Sequence, residues 1–290
     1  MAQKRLLWQS KLIMLLVLPL AAAGIILQTH WWAINVPQMA IWAVGLSFLL
    51  GLIAWKSRIA TPAAAAAGAA INASLIFNSA SFPYEPWQTA LVPVVVLLVL
   101  TSLATRAGHK GKERRGTAEK HEGRNSAQVA ANLGVAMLVT EDPIRSWLVD
   151  MGWLSHALYA SVPYFTIGVA ALAEAAADTV SSELGQLMAS QPRMITTLRK
   201  AEPGTDGAVS LAGTVAGALA AAIVAAAGSA ALGAGFTMFW ISAAGGLFGM
   251  FFDSLLGAAV ECRGWLNNDS VNFLSAASAA AFAFALLAIR

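Results

Sequence analysis

The sequence predicts an all-α protein, a polytopic bundle of about seven to nine transmembrane helices. Of its 290 residues, 58% are hydrophobic and only 11% are charged, whereas a soluble domain carries about 25% charged residues. Ten tryptophans fit anchoring at the membrane interfaces, where indole rings prefer to lie. The single cysteine, Cys262, excludes an intrachain disulfide and a multi-cysteine zinc site. We therefore expect one integral-membrane domain over residues 1–290.

Residues 1–104 contain the N-terminal helices. The first apolar run follows Lys4 and continues past Leu27, which is enough for a span of about 17 residues or more. A cleaved signal peptide is the alternative, because a charged start and an Ala-rich end also fit that reading. Three further helices are predicted at Met39–Trp55, Ala63–Phe77 and Ala90–Ala104.

Basic residues orient the bundle. Residues 105–127 form a Lys- and Arg-rich loop, and Arg58 lies in an earlier basic turn. Because cytoplasmic loops carry an excess of Lys and Arg, we expect both segments and the N-terminus on the cytoplasmic side. The membrane would be the inner membrane if the source is bacterial. No nucleic-acid-binding motif is present, so we expect the bilayer, and no nucleic acid, as a partner.

Residues 128–290 carry the polar motifs. A short apolar segment, Gln128–Val139, is predicted to be tilted, re-entrant or interfacial, since it is short for a span. The longer helices follow it. They are predicted at about Leu154–Ala177, Val209–Ala231, Leu232–Phe252 and Val271–Ile289, with the C-terminus outside. Three polar stretches then fall on the cytoplasmic side and can meet at one site. They are Arg106–Asn132, Asp178–Ser210 and Asp253–Asn272.

The first candidate group is basic. Arg124, Gln128 and Asn132 recur every four residues and therefore form a polar stripe on one helix face. Together with Lys110, Arg124 suits an anionic phosphate. The alternative for the basic residues of this loop is that they only set topology or contact lipid headgroups.

The second candidate group is acidic. Asp178 and Ser182 share a helical face, and Glu183 is adjacent. Carboxylates together with substrate phosphate oxygens are the usual Mg²⁺ ligands in such sites. The following loop adds basic side chains and a glycine-rich turn, which can bind anions through backbone N–H groups near a helix start. Its candidates are Arg193, Lys200, Gly204, Thr205, Asp206 and Gly207. A plain surface turn is the alternative.

The third candidate group centres on Asp253, which lies in a glycine stripe that includes Gly249 and Gly257. A carboxylate there is unfavourable unless a cation or hydrogen-bond donors meet it. Asn268 and Asn272 follow as neutral ligands or as sugar and base contacts. The alternative is an aspartate that reaches the surface.

Five motifs together carry a resemblance to a known family. They are HEGRNSAQVAANLG, ADTVSSELG, QPRMITTLRKAEPGTDGAVSLAGTVAG, GGLFGMFFDSLLGAAVE and NNDSVN. In this order they resemble the integral-membrane family called domain of unknown function ninety-two, which includes the plant phytyl-phosphate kinase and the vertebrate transmembrane protein nineteen. The resemblance covers nearly the whole chain after the first helix.

The resemblance implies an enzyme, a kinase with its active site at the cytoplasmic rim. It would convert a prenyl phosphate such as phytyl phosphate to the diphosphate with a nucleoside triphosphate, CTP being favoured over ATP, and with Mg²⁺. Asp178, Asp206 and Asp253 would hold the metal and, with Ser182 and Glu183, form the catalytic group. A cytidylyltransferase that joins CMP to a lipid phosphate is the closest alternative, and a transporter with intramembrane carboxylates is an alternative of another class.

Overall fold

The computed structural model describes residues 6–115, 123–188 and 191–289, without the side chains of residues 108 and 110–115. Its N-terminal helices are α1 (Leu7–Asn35), α2 (Pro37–Lys56), α3 (Pro62–Ser79) and α4 (Leu91–Arg115). The central helices are α5 (Ser126–Thr140), α6 (Asp142–Asp150), α7 (His156–Ser161) and α8 (Tyr164–Leu187). A hairpin of β1 (Arg193–Met194) and β2 (Ala208–Val209) then leads to α9 (Leu211–Ala231), α10 (Gly235–Leu256) and α11 (Asn268–Ala288). The all-α prediction is confirmed.

Five of these helices are long and apolar enough to cross a membrane, namely α1, α2, α9, α11 and α10 with the turn that follows it. Shorter apolar helices lie at Leu91–Ala107 and at α5. Many leucine, isoleucine and tryptophan side chains of α1 and α2 are exposed, as expected where a helix faces lipid. The protein is therefore a polytopic helical membrane protein, whereas its orientation relative to the cytoplasm stays a prediction.

Helix α8 lies at the centre of the bundle and packs against α4, α5, α9, α10 and α11. Its first half is rich in alanine, and most of those side chains are buried. Glycines on the neighbouring helices allow close approach. A Cβ atom at Gly217 of α9 would lie 2.8 Å from the carbonyl oxygen of Ala177, and one at Gly246 of α10 would lie 2.7 Å from the Ala173 Cβ. Small residues therefore set the helix spacing around α8.

Three predicted boundaries are wrong. Helix α4 continues to Arg115 instead of ending at Ala104. The predicted helix Leu154–Ala177 is divided into α7 and α8, because Pro163 lacks an N–H group and restricts the residue before it. Helix α8 then continues ten residues beyond Ala177, to Leu187.

The short helix α5 is enclosed by α1, α3, α8 and α11, and most of its side chains are buried. Asn125 caps its N-terminus. The Asn125 side chain accepts a hydrogen bond from the Gln128 N–H group, and the Gln128 side chain accepts one from the Asn125 N–H group. This pair of bonds fixes where α5 begins and holds Arg124 just outside the helix.

Candidate active site

The three polar stretches meet at one end of the bundle. Backbone hydrogen bonds join Arg124 to the turn after α2: its N–H group donates to the Ile59 oxygen at 2.9 Å, and its oxygen accepts from the Thr61 N–H group at 3.0 Å. The Arg124 guanidinium lies 3.4 Å from the Thr179 hydroxyl of α8. The predicted convergence is therefore present, and two cavities lie there.

The first cavity, here called the arginine cavity, has a volume of about 570 Å³ and is lined by Arg58, Arg106 and Arg124. This volume falls in the range of about 300–1,000 Å³ for small-molecule sites. Other polar side chains also line it. They are Ser57, Thr101, Ser102, Thr105, His109, Gln128, Asn132, Asp178, Thr179, Ser182, Glu183, Asn268 and Asn272.

Arg124 joins the basic and acidic parts of the arginine cavity. Burial lowers the pKa of its guanidinium, and the charges of Asp178 and Glu183 oppose that lowering. An arginine remains cationic at neutral pH despite such a shift. Arg124 therefore places a fixed positive charge beside the acidic face of α8.

Two residues of the predicted polar stripe also form structural hydrogen bonds. Gln128 belongs to the cap of α5, and the Asn132 Oδ1 atom accepts a hydrogen bond of 3.2 Å from the Asn272 Nδ2 atom. Gln128, Asn132 and Asn272 therefore line the arginine cavity from fixed positions.

The second cavity, here called the acidic cavity, has a volume of about 320 Å³. Four carboxylates from three chain segments line it: Asp178, Asp206, Asp253 and Glu261. The turn before β2 and the start of α9 form another part of the wall, including Gly204, Thr205, Gly207 and Ser210. Among the residues that the structure describes, no Lys or Arg side chain lines this cavity. The two cavities therefore have opposite charge.

Asp178 and Asp253 line the acidic cavity from the packed helices α8 and α10. The Asp253 Oδ2 atom is buried and has no hydrogen-bond partner among the described residues. Glu174, one turn before Asp178, is also buried, but it accepts a hydrogen bond of 2.7 Å from the Ser275 hydroxyl. The Asp253 Oδ2 atom is thus a carboxylate oxygen that the described residues leave without a hydrogen-bond donor.

The glycine-rich turn is pressed against the end of α10. Gly204 and Gly207 have φ angles of 90° and 76°, which favour glycine. A Cβ atom at Gly207 would lie 2.3 Å from the Ala258 nitrogen, and one at Gly257 would lie 2.8 Å from the Gly207 nitrogen. The two glycines therefore allow the backbone contact that brings Asp206 to the same cavity as Asp253.

The start of α9 faces the acidic cavity. The Ser210 hydroxyl accepts a hydrogen bond of 3.1 Å from the Gly213 N–H group and caps the helix. The predicted helix start beside the turn is therefore present. A helix N-terminus favours negative charge nearby, so this end of the cavity can accept substrate oxygens as well as a cation.

Carboxylates with an unsatisfied oxygen are suitable ligands for Mg²⁺. Within the described residues, however, no group of three or more acidic, histidine or cysteine side chains could hold a metal ion by itself. Mg²⁺ usually binds through one or two carboxylates plus water and substrate phosphates. The residues present therefore fit a cation that binds together with a phosphorylated substrate.

The structure divides the predicted site residues into two classes. Most of the predicted side chains line one cavity or both. Arg193 and Lys200 line neither: both are exposed, and the Arg193 guanidinium donates to the Leu198 oxygen of its own loop at 2.8 Å. The side chain of Lys110 lies outside the described part of the chain.

Comparison with protein families gives a match over most of the chain. The model of the integral membrane protein family DUF92 matches residues 45–280, which include both cavities. The chain belongs to this family. The match confirms the family that the sequence motifs indicate.

Curated relatives are membrane and chloroplast proteins. An uncharacterized membrane protein of Methanocaldococcus jannaschii is 42% identical over 107 residues, which is 37% of this chain and 44% of that protein. An uncharacterized membrane protein of Synechocystis is 28% identical over 208 residues, or 69% and 74% of the two chains. The chloroplastic protein VTE6 of Arabidopsis thaliana is 24% identical over 236 residues, or 80% and 60%. No solved structure matches the chain.

Arg58, Arg106 and Glu261 are among the cavity side chains that the sequence analysis does not assign to the site. Arg58 and Arg106 were interpreted only as topology signals, and Glu261 was not assigned to the site. The segments that bring them there are distant in sequence, so no local spacing indicates them. The only available signal was that each lies at the end of an apolar segment on the predicted cytoplasmic side.

Proposed function

We propose that the protein is a membrane-embedded kinase that transfers a phosphoryl group from a nucleoside triphosphate, CTP being favoured, to a prenyl phosphate of the phytyl type. The observation that supports it most strongly is that a cationic and an anionic cavity share one wall, formed by Asp178, Ser182 and Asn268. Phosphoryl transfer requires positioning and charge neutralisation more than covalent chemistry from the protein. A pair of oppositely charged cavities supplies both.

In the proposed reaction, the bond between the γ-phosphorus and the β–γ bridging oxygen breaks. A non-bridging oxygen of the prenyl phosphate forms the new bond to that phosphorus, and any proton on that oxygen passes to water. The products are the prenyl diphosphate and the nucleoside diphosphate. Arg124 would neutralise phosphate charge at the shared wall, and Ser182 would donate a hydrogen bond there.

One or two of the carboxylates Asp178, Asp253 and Asp206 would hold Mg²⁺ together with phosphate oxygens of the substrate, with Glu183 nearby in support. When bound, the metal neutralises negative charge on the triphosphate. The unpartnered Oδ2 atom of Asp253 supports this assignment, because a buried carboxylate oxygen without a donor or cation is unfavourable. The kinase proposal is also supported by the family to which the chain belongs, since the sequence motifs resemble a family that includes the plant phytyl-phosphate kinase.

The direct test is product analysis. Purified protein in detergent is incubated with Mg²⁺, phytyl or farnesyl phosphate, and either CTP or ATP, and the lipid product is identified by mass. We expect the prenyl diphosphate. A CDP-lipid with release of pyrophosphate would instead identify a cytidylyltransferase, and the absence of both products together with no nucleotide binding would favour the transporter.

A further inference from the structure

The arginine cavity contains two basic residues that neither the family match nor the motif analysis assigns to a site. Arg58 lies in the turn after α2, and Arg106 lies on α4. Both side chains are exposed. Among the described residues neither forms an ion pair with a carboxylate, and the Arg106 guanidinium has only a long contact of 3.5 Å to the Ser57 oxygen. Both guanidinium groups can therefore bind an anion.

The position of Arg58 is fixed by backbone packing. Its φ angle is 56°, an unusual value for a residue other than glycine. The adjoining segment contacts it closely, since a Cβ atom at Gly123 would lie 3.0 Å from the Arg58 oxygen. This value lies in the left-handed region, which is unfavourable for a residue with a Cβ atom. Such conformations persist where surrounding contacts hold them, and they occur often at ligand sites.

The turn that carries Arg58 is bonded directly to the segment that carries Arg124. The hydrogen bonds from Arg124 to Ile59 and from Thr61 to Arg124 form a short bridge between them. Arg58 and Arg124 are consequently held in one rigid unit, and Arg106 lines the same cavity from α4. Guanidinium groups bind phosphate through paired hydrogen bonds, so three of them around one cavity suit an anion with several phosphate groups.

The basic candidates of the hairpin loop are not placed for this role. Arg193 and Lys200 line neither cavity, and no described Lys or Arg lines the acidic cavity. A triphosphate carries more negative charge than a lipid monophosphate and therefore needs more cationic partners. Among the described side chains, only the arginine cavity offers three arginines together.

We infer that Arg58, Arg106 and Arg124 form the binding site for the triphosphate of the nucleotide, an inference that rests on the proposed kinase function. Arg124 is the innermost of the three, because it contacts Thr179, the neighbour of Asp178. The terminal phosphate therefore lies at Arg124, beside the wall shared with the acidic cavity. Arg58 and Arg106 bind the phosphates nearer the base. This places the nucleotide in the arginine cavity and not at the hairpin of Arg193 and Lys200.

The test measures binding separately from catalysis. Binding of inorganic tripolyphosphate and of CTP to the full chain is measured by isothermal titration calorimetry in detergent, with EDTA present. Arg58→Gln and Arg106→Gln are each expected to weaken binding of both probes by about tenfold or more, since hydrogen bonds to charged groups contribute about 1.5–3 kcal/mol. Arg193→Gln is the matched control, because it removes an equal charge from outside both cavities, and it should bind both probes like the wild type.

Two results would overturn the inference. One is unchanged tripolyphosphate and CTP binding in both variants. The other is that the variants bind phytyl phosphate more weakly while their binding of tripolyphosphate and CTP is unchanged, which would assign the arginines to the lipid headgroup. Arg58→Lys guards against misfolding, because it keeps the charge and should restore part of the affinity.

The inference and the proposed function can fail separately. If the wild-type protein binds tripolyphosphate through Arg58 and Arg106 but makes no prenyl diphosphate, the anion site is supported and the kinase proposal is wrong. If the wild-type protein makes prenyl diphosphate and both variants bind CTP normally, the kinase proposal is supported and the triphosphate site is wrong.

Discussion

The arginine cavity and the acidic cavity are built in different ways. The arginine cavity takes Arg58 and Arg124 from two segments that backbone hydrogen bonds join, and Arg106 from within α4. The acidic cavity takes its charges from α8, α10 and a turn that glycines bring into contact, as at Gly207 and Gly257. One cavity therefore depends on hydrogen-bonded loops, and the other depends on close packing.

This difference has a consequence for substitution. Long arginine side chains can adjust their position, so one charge can be lost from the arginine cavity without disturbing the fold. The acidic cavity has less freedom, because a single methyl group at Gly207 would overlap the backbone at Ala258. We expect charge substitutions to distinguish the two cavities by ligand, and substitutions at Gly207 and Gly257 to affect the acidic cavity.

The largest effect is expected at Asp253. Asp253→Asn keeps the shape of the side chain and removes the charge of a carboxylate whose Oδ2 atom has no hydrogen-bond partner among the described residues. Turnover should fall by about 100-fold or more, equivalent to about 2.7 kcal/mol in the barrier. Thermal unfolding should occur at or above the wild-type temperature, because repulsion with Asp178 is removed. Asp150→Asn, an exposed position on α6, is the control and should leave turnover unchanged. An Asp253→Asn protein with normal turnover would contradict the metal assignment.

A smaller effect is expected at Gly207. Gly207→Ala adds a methyl group at a positive φ angle and against Ala258, so the turn should move away from α10 and activity should fall by about tenfold. Gly264→Ala is the matched control, because it has a φ angle of 70° and no atom within 4 Å of the new Cβ. Both variants pay the backbone strain of about 1–2 kcal/mol. Equal activity in the two variants would show that the contact between Gly207 and Ala258 is unimportant.

The smallest effect is expected at Gly217, where α9 packs against α8. A Cβ atom there would lie 2.4 Å from the Met250 sulfur and 2.8 Å from the Ala177 oxygen, so Gly217→Ala should lower the unfolding temperature and reduce turnover severalfold. Tripolyphosphate binding at the arginine cavity should be kept. Gly45→Ala in α2, with open space around it, should instead stabilise the protein by about 0.5–1 kcal/mol. Loss of anion binding in Gly217→Ala would mean that the cavities are not independent.

Local pattern predicted much of this arrangement. Four-residue spacing placed Asp178 and Ser182 on one face of α8, and loop charge placed three distant polar stretches at one end of the bundle. The first inference succeeds because helical periodicity is a property of short segments. The shared end of the three stretches agrees with the distribution of Lys and Arg, whereas their membrane side stays a prediction.

Tertiary contacts determine which basic side chains line the arginine cavity, and local sequence pattern does not predict those contacts. Arg58 reaches the cavity because its turn bonds to Arg124, a partner 66 positions away in the sequence. Arg193 does not reach it, because the guanidinium donates to its own loop at Leu198. The helix break at Pro163 could have been predicted, since proline ends helices by a local mechanism. The sequence on both sides of it is apolar, and this pattern favoured one continuous helix.

The central claim is that an anion and a cation meet at Asp178, on the wall that both cavities share. The most direct measurement compares Asp178→Asn with wild type in two assays: CTP binding in EDTA by calorimetry, and turnover to prenyl diphosphate with Mg²⁺. We predict that the variant binds CTP at least as tightly as wild type, because a negative charge beside the phosphates is removed, while its turnover falls by about 100-fold or more. Turnover within a few-fold of wild type would contradict the account.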